Sequence, residues 1–227
     1  MNLNADLGEG AGDDEAILAC VDSASVACGV HAGSVSITVA TALRCVALGI
    51  EVGAHPGYDD RANFGRAEVS LSIPDLEALI AFQVAGLAAI APVRYLKPHG
   101  ALYHRCQHEA AAADVLARVA SDHGVGVVGQ PGFEILAAAR RAGIRGYREG
   151  FADRLLRPDG SLASRTQPGA VLDAASAAVQ AVALARTGKY DTICVHGDTP
   201  GAGQVAAAIR RALDEAKIAT SPLGGRL

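Results

Sequence analysis

The feature that most constrains this chain is an alternation running its whole length, in which short apolar runs are each followed by a longer stretch of helical periodicity. Strand candidates begin at "NLNAD", "SVACG", "EVGAH", "YLKPH", "VGVVG", "GYREGF" and "TICVHGD". Residues 13–21, 35–48, 74–91, 109–123, 132–142, 173–187 and 202–217 read as helices. Pro74 with Asp75 and Pro131 with Gly132 are start signals, and Gly49, Gly124, Gly143 and Gly188 are stops. Seven such units in 227 residues average about 32 residues each, the size of a βα repeat. No linker or shift in composition divides them, which predicts a single domain over residues 1–227.

Half of the residues are apolar, yet aromatics make up only 4 % and Trp is absent, so the core is built from Ala, Val, Leu and Ile. That suits helices packed on a sheet, an α/β fold. Parallel strands joined by helical crossovers either stay open or close into a barrel. An open sheet gathers its ligand residues at one switch point, whereas a barrel gathers them from the ends of many strands. Here Asp6 and Glu9 follow the first strand, His31 the second, His55 the third, and Lys97 and His99 the fourth. Glu149 and Asp153 follow the sixth, and His196 and Asp198 end the seventh. This distribution predicts barrel-like closure, with "KPHG" as a strand end turning into the rim of a site.

Other classes are disfavoured. With 20 basic against 24 acidic residues, a net charge of −4 and no basic run, nucleic acid is a poor partner. The amino terminus "MNLNADLGEG" has neither a cationic nor an apolar export region, which predicts a cytoplasmic protein. The longest apolar stretch, Ala78 to Val93, contains Gln83 and Pro92 and is shorter than the ~20 residues needed to cross a bilayer. It reads as a buried helix. Five cysteines, odd in number and without CxxC spacing, read as reduced thiols.

Three loops carry chemistry. In "GAHPGYDDRANFGR", Arg66 suits capture of a carboxylate or phosphate, while Asp60 and Arg61 suit pairing with each other in a solvated loop. Residues 151–172, with a Pro-Asp-Gly turn and the arginines Arg154 and Arg165, read as an ordered flap over a small anionic substrate. "CVHGDTPGAG" places His196 and Asp198 before a Gly-rich helix start suited to anions. Neither GxxxxGK[ST] nor GxGxxG is present. His31, His55, His99 and His196 are too far apart for a local zinc motif, so only the fold can unite them, with Asp6, around a divalent ion.

The segments "LNADLGEG", "SVACGVHAG", "GAHPGYDDRANFGR", "KPHGALY", "FADR" with "PDGSLASRTQPGAV", and "ICVHGDTPGA" run in order to about Gly203. Together they resemble the LamB/YcsF family. The resemblance implies a seven-stranded, distorted β/α barrel similar to that of carbohydrate deacetylases. It also implies ATP-coupled opening of 5-oxo-L-proline to L-glutamate, carried out with two partner subunits, B and C, of a 5-oxoprolinase. Without a P-loop here, ATP is expected to be bound by, or shared with, those partners.

Asp6, Glu9, His31, His55, Lys97, His99, His196 and Asp198 lie in the matching segments. For that reaction Lys97 is expected to stabilise developing negative charge and Asp6 to orient water as a base. His99 or His196 would donate the proton, and Arg66 or Arg154 would hold a carboxylate or phosphate. Glu9, His31, His55 and Asp198 are expected to bind substrate. Ser34 stands where the family usually has an acidic residue, and no role is assigned to it. Two other readings stay open: a metal-dependent hydrolase or deacylase using Asp6 and the histidines, and a substrate-binding subunit with no chemistry of its own.

Overall fold

The computed structural model describes residues 1–157 and 161–224; the Pro158–Gly160 turn of the expected flap lies outside the described residues. Seven strands, β1 (Asn2–Leu7), β2 (Ser23–Ala27), β3 (Glu51–His55), β4 (Val93–Leu96), β5 (Gly126–Gly129), β6 (Gly146–Phe151) and β7 (Thr192–His196), form one closed barrel. Every pairing is parallel, and β7 returns to β1 so that Asp6 sits opposite both Ser25 and His196. Around it lie α1 (Asp14–Leu18), α2 (Val35–Leu48), α3 (Ile73–Ala88), α4 (Gly100–His108), α5 (Ala110–Asp122), α6 (Glu134–Ala142), α7 (Ala174–Arg186) and α8 (Ala202–Glu215). The fold is thus an α/β barrel, as the strand ends and the resemblance predict.

The first strand explains how the barrel is filled. All six residues of "NLNADL" are buried, but successive side chains point to opposite faces. Leu3, Ala5 and Leu7 join the apolar layer beneath the helices. Asn2, Asn4 and Asp6 take the other face and meet polar partners inside the barrel. Asn2 Oδ1 accepts from Ser23 Oγ at 2.9 Å and Thr192 Oγ1 at 2.6 Å, and Asn4 Nδ2 donates to Thr192 Oγ1 at 2.7 Å. A polar interior is tolerated because these groups are paired. Tyr95 fills the middle of this interior: a Cβ on Gly53 would lie 2.2 Å from its ring, at the point where the β3–β4 register shifts.

The fourth strand ends at Leu96, where the apolar run breaks, and Lys97 N still donates to Ala54 O at 2.9 Å. Two local expectations need revision. A helix not expected from the sequence, α4, starts after this strand and buries Leu102, Tyr103 and Cys106. Finally, α3 is not buried all round: Leu76, Ile80, Val84 and Leu87 face the core, whereas Phe82 is 75 % exposed. No helix among the described residues is long and apolar enough to cross a membrane. Ser34 caps α2, its hydroxyl accepting from Ile37 N at 3.2 Å.

Candidate active site

The carboxyl-terminal ends of the strands bring their polar groups to one mouth of the barrel, around a cavity of about 90 Å³ lined in part by Asp6, His55, Lys97, His99 and His196. A larger cavity, about 890 Å³, opens at the opposite end beside Glu51, Arg94 and Tyr147. It lacks the convergent acid, base and imidazole groups of the smaller one, so the chemistry is sought at the smaller.

Lys97 is the centre of the first cluster. Its Nζ donates to Asp6 Oδ1 at 2.8 Å, lies 2.8 Å from Glu149 Oε1, and approaches Cys194 Sγ at 3.0 Å. Only 2 % of Lys97 is exposed, so the side chain is not on an open rim as "KPHG" suggests; it points from the strand end into the barrel. Burial opposes the ammonium charge, but Asp6 chiefly, with Glu149, holds its pKa well above the ordinary lysine value. Burial likewise opposes ionisation of Asp6, and His55, Lys97 and His196 overcome it, keeping the carboxyl well below the usual range. Burial dominates at Glu149 and raises its pKa. Tyr103 donates to the other Glu149 oxygen at 3.2 Å.

His196 and Asp153 form a dyad beside this pair. Asp153 accepts from His196 Nδ1 at 3.0 Å and from the His196 backbone N–H at 2.9 Å. Because a carboxylate only accepts, the Nδ1 hydrogen is fixed, and Nε2 faces Asp6, 4.0 Å away. Phe151 stacks on the ring with centroids 5.6 Å apart, which fixes its plane.

The remaining histidines gather around Glu9. Gly8, at φ 75°, turns the chain so that Asp6 and Glu9 diverge. Glu9 Oε1 lies 3.1 Å from His99 Nδ1, 3.3 Å from His31 Nε2 and 3.8 Å from His55 Nε2. Burial opposes the Glu9 charge, but His31 and His99 outweigh it and hold the carboxyl well below its usual range. Burial pushes His55 down to about 3, so it is a neutral imidazole. Glu9 and His31 are not among the residues that line the cavity. His31 is instead wedged against glycines: a Cβ on Gly57 would lie 2.5 Å from its Nδ1, and one on Gly65 would lie 2.8 Å from its Cβ. Arg61 does not pair with Asp60; it ties down the β2–α2 loop by donating to Gly29 O at 2.7 Å and Gly33 O at 2.9 Å.

Arginines ring the mouth. Arg66 and Arg165 share the carboxylate of Asp198, and Arg165 also reaches Thr199 Oγ1 at 3.3 Å. Asp198 therefore organises two guanidiniums rather than offering a free carboxylate. Arg154 donates to Ala163 O at 2.6 Å and Ala170 O at 3.4 Å, closing the loop over the cavity, and antiparallel bridges pair Arg154 with Val171 and Leu156 with Leu162. Burial, reinforced by Arg165, lowers the Arg154 pKa to about 10. Three guanidiniums against one carboxylate leave this rim suited to an anion.

Several partners are given no role by the sequence. Glu149 and Asp153 stand out there only as strand-end acids, and Arg165 only as one charge in the flap. Tyr103 belongs to the unexpected α4. Cys194 reads as an inert thiol; it is buried, and burial first, with Asp6 beside it, pushes its pKa well above the usual value.

Known proteins share this architecture. The A subunit of 5-oxoprolinase from Kocuria rhizophila is 42 % identical, the match covering 96 % of this chain and 96 % of that one. The crystal structure of a lactam utilization protein from Thermus thermophilus superposes with a TM-score of 0.90 at 33 % identity, covering 97 % of this chain and 98 % of that one. A family 4 carbohydrate esterase from Streptomyces lividans shares the fold alone, with a TM-score of 0.58 at 12 % identity, covering 100 % of this chain and 95 % of that one. The sequence model of the LamB/YcsF family matches residues 1–226, nearly the entire chain, and with the relatives just described it establishes that this protein belongs to the LamB/YcsF family.

Proposed function

We propose that this chain hydrolyses the lactam of 5-oxo-L-proline to L-glutamate as the A subunit of an ATP-dependent 5-oxoprolinase that also contains subunits B and C. The observation that carries the reading is the convergence, on one small cavity, of the oriented His196–Asp153 dyad, the buried Lys97–Asp6 pair and a rim of three arginines. Its support from outside is the name borne by a relative 42 % identical over nearly the whole chain.

A five-membered lactam is a stable amide, so opening it near neutral pH requires an activated carbonyl, a positioned water and a proton for the departing nitrogen. ATP supplies the activation by phosphorylating the carbonyl oxygen; after water adds and the C–N bond breaks, a second water hydrolyses the resulting acyl phosphate and releases glutamate with inorganic phosphate. Neither GxxxxGK[ST] nor GxGxxG is present in this sequence, so the nucleotide is assigned to subunits B and C or to a site shared with them. Arg66 and Arg165, with Arg154 behind them, hold the substrate carboxylate or the phosphate.

His196 Nε2 takes the proton from water and returns it to the nitrogen, while Asp153 fixes the required tautomer. Asp6, with its depressed pKa, is a weak base; it orients the water rather than deprotonating it. Lys97 faces the developing negative charge from within the barrel. His99 is removed from the proton-donor role by its engagement with Glu9 and with Phe64 O.

The test combines the purified chain with the B and C subunits, 5-oxo-L-proline and ATP, and follows glutamate and ADP together. Glutamate that requires all three subunits and appears in step with ADP supports the reading. Glutamate formed at the same rate without this chain rejects it.

A further inference from the structure

The Glu9 cluster holds an arrangement that the proposed hydrolysis does not use. His55 Nδ1 lies 2.7 Å from Lys97 O, and His99 Nε2 lies 2.8 Å from Phe64 O. A carbonyl oxygen only accepts, so both of these ring nitrogens carry hydrogen, and the opposite nitrogen of each ring is the one left to serve as a ligand. Those opposite nitrogens, His55 Nε2 and His99 Nδ1, face each other at 3.0 Å, with Glu9 Oε1 at 3.8 and 3.1 Å. Three atoms able to ligate an ion therefore converge in a buried space. The backbone enforces this: Phe64, a non-glycine residue at φ 57°, turns its carbonyl onto His99.

We propose that Glu9, His55 and His99 bind a divalent transition-metal ion, with nitrogen, nitrogen and oxygen as the three protein ligands. Separations of 3.0, 3.1 and 3.8 Å bracket the edge of about 3.4 Å expected for a tetrahedron with bonds of about 2.1 Å. The second nitrogen of each ligating imidazole donates to a backbone carbonyl, the outer-sphere pattern that fixes a ligand's tautomer. His31 is not a fourth ligand. Its ring lies parallel to His99, 10° between planes and 4.0 Å between centroids, so the two rings cannot both direct in-plane lone pairs at one ion.

His31 Nε2 instead donates to Glu9 Oε1, and its buried Nδ1 has no hydrogen-bond partner among the described residues. It is a positioning residue for the carboxylate. The neighbouring group Asp6, Cys194 and His196 is the weaker candidate, because the Lys97 ammonium already sits 2.8 Å from Asp6 and 3.0 Å from Cys194. His55 and His99 also line the cavity, so the fourth coordination position opens toward it.

The test needs no substrate, so its failure leaves the lactam reading standing. Chelator-stripped full-length protein is titrated with Zn²⁺ by calorimetry and with Co²⁺ by visible absorption, and its melting is followed with and without Zn²⁺. Wild type takes up one equivalent, gives the intense bands of low-coordinate Co²⁺, and melts higher in excess Zn²⁺. Glu9→Gln and His55→Ala lose this uptake. His31→Phe, which keeps the ring but loses the donor, weakens Zn²⁺ binding by roughly 10–100-fold, and His31→Gln restores part of it. His196→Ala changes the affinity less than His31→Phe does. Absence of stoichiometric uptake by folded wild type overturns the proposal by itself, a proton then bridging the acceptors. Uptake abolished only by His196→Ala overturns it equally.

Discussion

Replacing Lys97 with Met keeps the length and apolar stem of the side chain but leaves Asp6 and Glu149 without their shared cation. Lys97, Asp6 and Glu149 are 2, 4 and 0 % exposed, so water cannot substitute for the ammonium without opening the barrel. Breaking a buried ion pair by removing one partner costs about 3–5 kcal/mol. For a chain of this size that is a fall in melting temperature of about 6–20 °C, at roughly 2–4 °C per kcal/mol. The assay is equilibrium urea unfolding of the chain alone, followed by circular dichroism at neutral pH. Adding Glu149→Gln to Lys97→Met should recover about 1–3 kcal/mol, since the amide keeps a partner in Tyr103 and no longer carries a buried charge. A Lys97→Met chain within about 1 kcal/mol of wild type, with no coupling to position 149, would show that the buried charge is not held as the geometry requires.

Further outcomes follow from the same contacts. Gly65→Ala forces a side chain into φ 65° with its Cβ 2.8 Å from His31, and should lower stability by about 1–3 kcal/mol in thermal melts. Arg165→Ala in the assembled enzyme should raise KM for 5-oxo-L-proline more than it lowers kcat, because its rim position serves binding; an unchanged KM would count against an anion-holding rim. Burial opposes ionisation of Asp191, but bonds from Arg148 prevail and depress its pKa below 3.8. Its contribution to stability is therefore complete above pH 3.8 and lost as the pH falls through the lower folded value, so wild type and Asp191→Asn should converge in melting temperature on acidification.

How much of this was legible in the sequence depends on which contacts are local. The alternation in "NLNADL" shows that one face of the first strand is polar, and the strand-end acids and histidines point to closure by themselves. Helix α4 was hidden because Pro98 and Gly100 mask its start and His99 gives it no side-chain cap bond. The partnership of Lys97 with Glu149 was not legible at all. It depends on β4 and β6 lying on either side of β5 and both sending a side chain into the barrel, a tertiary arrangement that no local pattern encodes. The divergence of Asp6 from Glu9 turns on the left-handed conformation of Gly8: the sequence shows a glycine there but not the direction of the turn. Asp153 reads as one more strand-end acid until His196 arrives from the far edge of the chain.

Whether the chemistry belongs to this mouth of the barrel is decided by glutamate formation in the assembled enzyme carrying His196→Asn in this chain, at saturating 5-oxo-L-proline and ATP. The expected outcome is a kcat lower by about 10²–10⁴, the usual contribution of a general acid–base group, with the subunits still associated. A variant that forms glutamate within a few-fold of the wild-type rate would contradict the assignment of the proton transfers to His196.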